Sequence, residues 1–199
     1  MILIGITGIL GSGKSTVSNI LSKEGFPVID LDRLGKEVIN YTETVHEIKE
    51  TFGEEYIKDN KVDVEKLRNT VFQNTDKRKK LESIVHPKVR AEFLRRIEES
   101  KKRGAKAVII DAPLLFETDL RSRLDKAVVV SADMNTIKKR LKLRGMDEKD
   151  ADQRLLHQIP LKEKEKMADW VIYNNGTEME LGKEVSILLA KIKEWEVRG

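Results

Sequence analysis

The 199 residues are 39% hydrophobic and 36% charged, the balance of a soluble chain of one or two small domains that can bury a proper core. With no cysteine, a disulfide framework, a thiol nucleophile and a cysteine metal site are excluded, and no apolar run approaches the length that crosses a bilayer. The formal charge of +4 and the 5% of aromatic residues fit a small anionic substrate better than a nucleic-acid face, which needs a basic stripe with aromatic stacking partners.

The chain opens on Ile2-Leu3-Ile4-Gly5-Ile6-Thr7, an apolar β-branched run that reads as a buried strand. It carries no basic leader, so the expectation is a cytoplasmic protein without a membrane or nucleic-acid partner. Next comes Gly8-Ile9-Leu10-Gly11-Ser12-Gly13-Lys14-Ser15, a full match to the phosphate-loop pattern, and then Val17, Ile20 and Leu21 recur at helical spacing. Strand, glycine loop and helix in that order are the context in which the pattern binds a nucleoside triphosphate rather than making a bare turn. Glycines at 8, 11 and 13 let the main chain approach phosphate oxygens, and N–H groups backed by a helix N-terminus form an anion cradle. Lys14 adds a full charge for the β- and γ-phosphates of ATP, and the Ser15 hydroxyl suits Mg²⁺.

Phe26 to Asp30 reads as a second strand closing on Asp30-Leu31-Asp32, just where a helix through Leu34 and Val38 begins. Asp32 is either a general base for a substrate hydroxyl or the N-cap of that helix, and spacing alone does not separate the two. From Tyr41 to Arg103 the pattern is helical and charged, a helical insertion beside the sheet, with Gly53 to Lys61 as a turn-rich connector. His86-Pro87 should break the helix there, because proline disfavours helical geometry in the residue before it. A lone His86 reads first as structural.

Ala107 to Asp111 is the best strand after the first, and Pro113-Leu114-Leu115-Phe116-Glu117 follows it. An aspartate ending such a strand is what phosphate-loop enzymes use to support Mg²⁺ beside the loop hydroxyl; the alternative is a turn cap. The apolar segment on that edge is suited to wall an acceptor pocket. Lys126 to Ser131 is a further strand, followed by a basic helix in which Arg140 and Arg144 stand four apart and so share a side. If that helix closes over the nucleotide, both clamp transferring phosphate oxygens, and Gly145 and the charged stretch after it make a mobile lid. Ala168 to Gly176 gives the last strand and turn, before a terminal helix through Leu181, Val185, Leu188, Ile192 and Trp195. Strands alternating with helices predict an α/β fold with a parallel five-stranded sheet.

In series these stations resemble the dephospho-coenzyme A kinase family over essentially the whole chain. The resemblance rests on Ile4-Gly5-Ile6-Thr7-Gly8 with Gly11-Ser12-Gly13-Lys14-Ser15-Thr16, on Asp30 and Asp32, His86-Pro87 and Pro113 to Glu117. Arg140, Arg144, Arg154 with Gln158, and Val171 to Gly176 complete it. It implies a phosphate-loop core over residues 1–31, 104–132 and 159–199, a helical acceptor domain over 32–103 and a helical lid over 133–158. It also implies ATP-dependent phosphorylation of the ribose 3′-hydroxyl of dephospho-coenzyme A, by a chain expected to be a monomer. By that resemblance Asp32, Lys14, Arg140 and Arg144 are catalytic. Gly8, Gly11, Ser12, Gly13, Lys14, Ser15, Thr16, Asn174 and Gly176 bind the nucleotide. Asp32, His86, Pro113, Leu114 and Leu115 bind the acceptor, and Ser15 and Asp111 serve Mg²⁺. Two positions depart from the family pattern: Gly145 stands where a polar or acidic residue is expected, and Tyr173 where the family often has Asp.

Two rivals differ in chemistry. A nucleoside monophosphate kinase would phosphorylate a phosphate rather than a ribose hydroxyl. A GTP-binding switch is hinted at by Asp32-Arg33-Leu34-Gly35 alone, since no Asn-Lys-x-Asp guanine motif occurs in the chain.

Overall fold

A computed structural model describes residues 1–72, 74–147, 150, 153, 155, 156 and 158–198. In chain order its elements are β1 (Ile2–Thr7), α1 (Lys14–Lys23), β2 (Val28–Asp30), α2 (Leu31–Val38), α3 (Thr42–Phe52), β3 (Ile57–Lys58), β4 (Lys61–Val62) and α4 (Val64–Phe72). There follow α5 (Thr75–Lys102), β5 (Ala107–Asp111), β6 (Lys126–Ser131), α6 (Met134–Leu143), α7 (Leu161–Met167), β7 (Trp170–Tyr173) and α8 (Glu178–Arg198). The chain divides into two compact units, Met1–Ile29 with Ser100–Gly199, and Asp30–Glu99. The residues expected to form a lid fall inside the first of these.

The first unit is built on a five-stranded sheet in the order β2-β5-β1-β6-β7. β1 runs parallel to β5, with Ile6 opposite Asp111, and parallel to β6, with Thr7 opposite Val129. The loop leaving β1 therefore emerges between the ends of its two neighbours. Alternation along β1 divides the packing: Ile2, Ile4 and Ile6 join Val17 and Leu21 of α1 and Leu181, Val185, Leu188 and Ile192 of α8 in one buried cluster. Each such side chain contributes roughly 1.5–3 kcal/mol of burial. On the opposite face Gly5 has no side chain because Leu115 and Leu124 occupy the space.

In the second unit a core of Ile48, Tyr56, Val62 and Leu67 joins α3, the hairpin and α4. The expected turn-rich connector contains that hairpin, β3 paired antiparallel with β4. Its tip, Asp59-Asn60, has both φ angles positive at 50° and 59°, as a two-residue turn of primed type requires. The expected break at His86-Pro87 does not occur: α5 continues through Pro87 from Thr75 to Lys102. Proline removes one N–H and crowds the carbonyl four residues back, yet α5 runs on, and the residue after it ties the helix to α3. Lys88 Nζ donates to the Ile84 carbonyl at 3.3 Å and to both Glu47 carboxylate oxygens of α3 at 2.9 Å. Packing to a neighbour thus overrides the local preference.

Candidate active site

The glycine loop delivers the chain into α1 through Gly13, which sits at the helix N-cap with φ 96°. A left-handed angle favours glycine there. α1 starts with no side-chain cap and no acidic residue in its first turn, so its N-terminal N–H groups meet no built-in anionic partner. Ser12 Oγ is buried and has no partner among the described residues. A Cβ built on Gly8 would lie 2.5 Å from the Val130 carbonyl and 2.6 Å from Ser12 Oγ. This donor-rich, side-chain-free turn fits phosphate oxygens.

Lys14 opens α1, and its Nζ is ion-paired with Asp111 Oδ1 at the end of β5. Asp111 is 3% exposed, and its second oxygen accepts from Ser18 Oγ at 2.6 Å. Asp111 is therefore brought to the loop, but as a carboxylate already shared by a lysine and a serine of α1, not as a turn cap. Ser18 was missed in the sequence, although its spacing of four from Lys14 puts both on one face of the helix. Ser15 lies next to Lys14 and is exposed. Ser15 Oγ and the Asp111 carboxylate are hard oxygen ligands of the kind that could hold Mg²⁺. Among the described residues no group of three or more His, Cys, Asp or Glu could hold a metal ion.

α6 is seated directly on the loop. Ile137 and Leu141, one turn apart, pack in a cluster with Ile9, Leu10 and Ala132, so the two apolar positions inside the glycine motif serve as the platform for this helix. Arg140 is thereby carried to the loop, donating from Nη1 to the Asn174 carbonyl at 2.9 Å and from Nη2 to Asn174 Oδ1 at 3.1 Å. Arg144 does not join it. α6 ends at Leu143; the Gly145 N–H donates to Lys142 O at 3.0 Å and the Met146 N–H to Leu141 O at 3.1 Å. With Gly145 at φ 70°, this is a Schellman ending, and Met146 completes it by packing into the cluster that holds Leu141. Arg144 is left exposed just past the helix. The departure at Gly145 has a local cause: the position needs a left-handed residue to end α6. Arg154, the partner of Gln158 in the family pattern, lies outside the described residues.

Pro113 to Glu117 is held from below. The Pro113 carbonyl accepts from Thr7 Oγ1 at 3.0 Å and from Lys164 Nζ at 2.9 Å. Lys164, fully buried in α7, pairs with Glu117 Oε1 at 2.7 Å, and that same oxygen accepts from the Ile159 N–H at 2.9 Å. Leu115 is fully buried, packed over Gly5. It therefore belongs to the core rather than to an acceptor wall, and Leu114, 46% exposed, is the leucine that meets solvent. Lys164 was not legible in its lysine- and glutamate-rich stretch, where nothing distinguishes a buried lysine from solvated ones.

Asn174 and Gly176 follow β7. Asn174 is 5% exposed, its side chain engaged by Arg140 and by the Ser12 carbonyl. After Gly176, Thr177 and Glu180 form a capping box at the start of α8: the Thr177 N–H donates to Glu180 Oε2 at 2.7 Å and the Glu180 N–H to Thr177 Oγ1 at 3.3 Å. Tyr173, the second departure from the family pattern, is exposed at the end of β7.

In the second unit the cap question at Asp30-Leu31-Asp32 is answered. Asp30 is the N-cap of α2, its Oδ1 accepting from the Arg33 N–H at 3.0 Å. Asp32 is an exposed carboxylate in the first helical turn. His86 is exposed on α5, beside a shallow cavity of about 640 Å³ lined also by Glu82, Pro87, Arg90 and Leu94.

Comparison with known proteins covers the whole of this arrangement. The family described as dephospho-CoA kinase matches residues 2–180. A dephospho-CoA kinase of Geobacillus kaustophilus is 43% identical over 196 residues, 97% of this chain and 96% of that protein. The solved dephospho-CoA kinase of Campylobacter jejuni superposes with a TM-score of 0.73 at 26% identity, covering 96% of this chain and 97% of that one. A shikimate kinase of Bacteroides thetaiotaomicron, 19% identical with a TM-score of 0.53 over 96% and 98% of the two chains, shares the fold.

Proposed function

Because this chain belongs to the dephospho-CoA kinase family, we propose that it transfers the γ-phosphoryl group of ATP to the ribose 3′-hydroxyl of dephospho-coenzyme A, releasing coenzyme A and ADP. The observation that carries the reading is the uncapped start of α1 with Lys14 held by the buried Asp111. It is a ready-made seat for a triphosphate that lacks only the ligand's charge.

The loop N–H groups, with Gly8, Gly11, Gly13 and Thr16, cradle the phosphates, and Lys14 moves its charge from Asp111 to the β- and γ-oxygens. Ser15 and Asp111 would hold Mg²⁺, which when bound neutralises phosphate charge. Asp32 accepts the proton of the 3′-hydroxyl as its oxygen bonds to the γ-phosphorus and the bond to the bridging β,γ-oxygen breaks. The side chain that caps α2 is Asp30, and Asp32 lies in the first turn of that helix, which directly follows a strand of the sheet. Arg140 neutralises charge on the transferring group, and Arg144 joins when the segment over 133–158 closes as a lid. Pro113 and Leu114 contact the acceptor, as does His86 beside its cavity, and Gly176 borders the base.

The protein works as a cytoplasmic monomer on two small molecules, without nucleic acid or membrane. Among the described residues no helix is long and apolar enough to cross a bilayer. The test is an ADP-release assay with MgATP, with and without dephospho-coenzyme A, with product mass measured. Acceptor-dependent turnover with one added phosphoryl group is expected; tight MgATP binding without acceptor dependence would overturn the substrate.

A further inference from the structure

Asn174 makes more contacts to the machinery than a residue that merely borders a nucleotide. Its Nδ2 donates to the Ser12 carbonyl at 2.8 Å, while its Oδ1 and its main-chain carbonyl both accept from Arg140, at 3.1 and 2.9 Å. Arg140 Nη1 also approaches the Ser12 carbonyl, at 3.5 Å. The residue is itself fixed, since its N–H donates to the Ser131 carbonyl at the end of β6 at 2.7 Å. A Cβ on Gly13 would collide with Asn174 Nδ2, so the third glycine of the loop is bare partly to admit this amide.

We propose that Asn174 is a positioning residue, a buried strut that sets the Ser12-Gly13 peptide and the Arg140 guanidinium in register. Loop and arginine then present one preorganised surface to the triphosphate. The role requires a donor and an acceptor on one short planar group. Aspartate keeps an acceptor for Arg140 but turns an oxygen toward the Ser12 carbonyl. Glutamine is a methylene too long for the space beside Gly13, and alanine abolishes both links. Arg140 without its strut retains its charge but loses the pre-set geometry on which electrostatic stabilisation of a transferring phosphoryl group depends.

The proposal rests on the phosphoryl-transfer reading of the site, and the experiment keeps the two apart. Wild type, N174D, N174A, R140A and N174A/R140A are compared in MgATP affinity by calorimetry without acceptor, in acceptor-independent ATP hydrolysis, and in kcat with dephospho-coenzyme A. N174A should lower kcat about 10- to 100-fold, the worth of hydrogen bonds to a charged group, yet less than about 3-fold in the R140A background, where the strut has no arginine to hold. N174D should weaken MgATP binding about tenfold through the loop while losing less kcat than N174A. Equal fold-losses for N174A in both backgrounds, or kcat and MgATP affinity within about twofold of wild type in N174A and N174D, overturn the proposal. Should N174A fail to fold by circular dichroism, N174L and N174L/R140A, which likewise lose both side-chain links in a group of similar size, complete the same cycle. A wild type that hydrolyses ATP but ignores dephospho-coenzyme A would sink the assigned acceptor and leave the cycle to be read on hydrolysis.

Discussion

At the scale of single residues the site is a set of charges already compensated inside the protein. Lys14 is neutralised by Asp111, and Asp111 is further held by Ser18, so the lysine of the glycine loop is held in place without being left as an unpaired charge, which would be costly. On the proposed reading, incoming phosphate exchanges one anionic partner of Lys14 for another. Asp32 is exposed in the first turn of α2, and the side chain that caps this helix is Asp30. Asp32→Asn keeps shape and removes basicity, so kcat should fall about 10²- to 10⁴-fold, the usual contribution of a general base. MgATP affinity measured by calorimetry should stay within about twofold, since the carboxylate acts on the acceptor. Equal kcat in the two proteins would remove Asp32 from the chemistry. The loop residues were legible because their pattern follows from phosphate geometry alone. Ser18 and the burial of Leu115 were not, because each depends on a partner distant in the chain, Asp111 for one and Gly5 for the other.

At the scale of elements, two segments reach the binding edge on apolar or ionic anchors rather than on intrinsic preference. α6 sits on Ile9 and Leu10 of the loop, and that packing carries Arg140 to the loop. Arg144 follows as the C-cap residue, its N–H still donating to the Arg140 carbonyl at 3.2 Å, with its side chain exposed. The Pro113–Glu117 segment is tied to α7 by Lys164. Removing one partner of a buried ion pair strands the other charge, so Lys164→Met should cost about 3–5 kcal/mol in urea unfolding, and adding Glu117→Gln should restore part of it. Full additivity of the two changes would show that the pair is not coupled. The hairpin at residues 57–62 was hidden because a two-residue strand carries too little periodicity to read, and the unbroken α5 because its tie from Lys88 to Glu47 is tertiary.

At the scale of the whole molecule, the sheet unit and the helical unit are stabilised by different means. The first has a continuous apolar core on β1. The second adds an ionic network in which buried Glu92 accepts from Arg95 at 2.6 Å and from Arg96 at 2.8 Å, while Arg96 also reaches Glu37 of α2. Hydrogen bonding from Arg95 outweighs the opposing effect of burial and, with Arg96, holds the Glu92 carboxyl at about 2, below its ordinary 4.5. A depressed folded value means stability that is complete above the unfolded value and lost as pH falls. Acid unfolding should therefore show a loss between about pH 4.5 and about 2 that Glu92→Gln removes; an unchanged acid limb in that variant would refute the assignment. By itself the sequence determined the strand-loop-helix start, the five strands and their aspartates, the helical insertion and the family, because these follow from local periodicity, glycine geometry and ordered motifs. Only the tertiary structure decided which aspartate caps α2, which arginine meets the loop, that Leu115 is core, that Lys164 is buried and that Asn174 joins Ser12 to Arg140. Each of these is a choice between chemically equivalent residues, and contacts between distant parts of the chain make that choice.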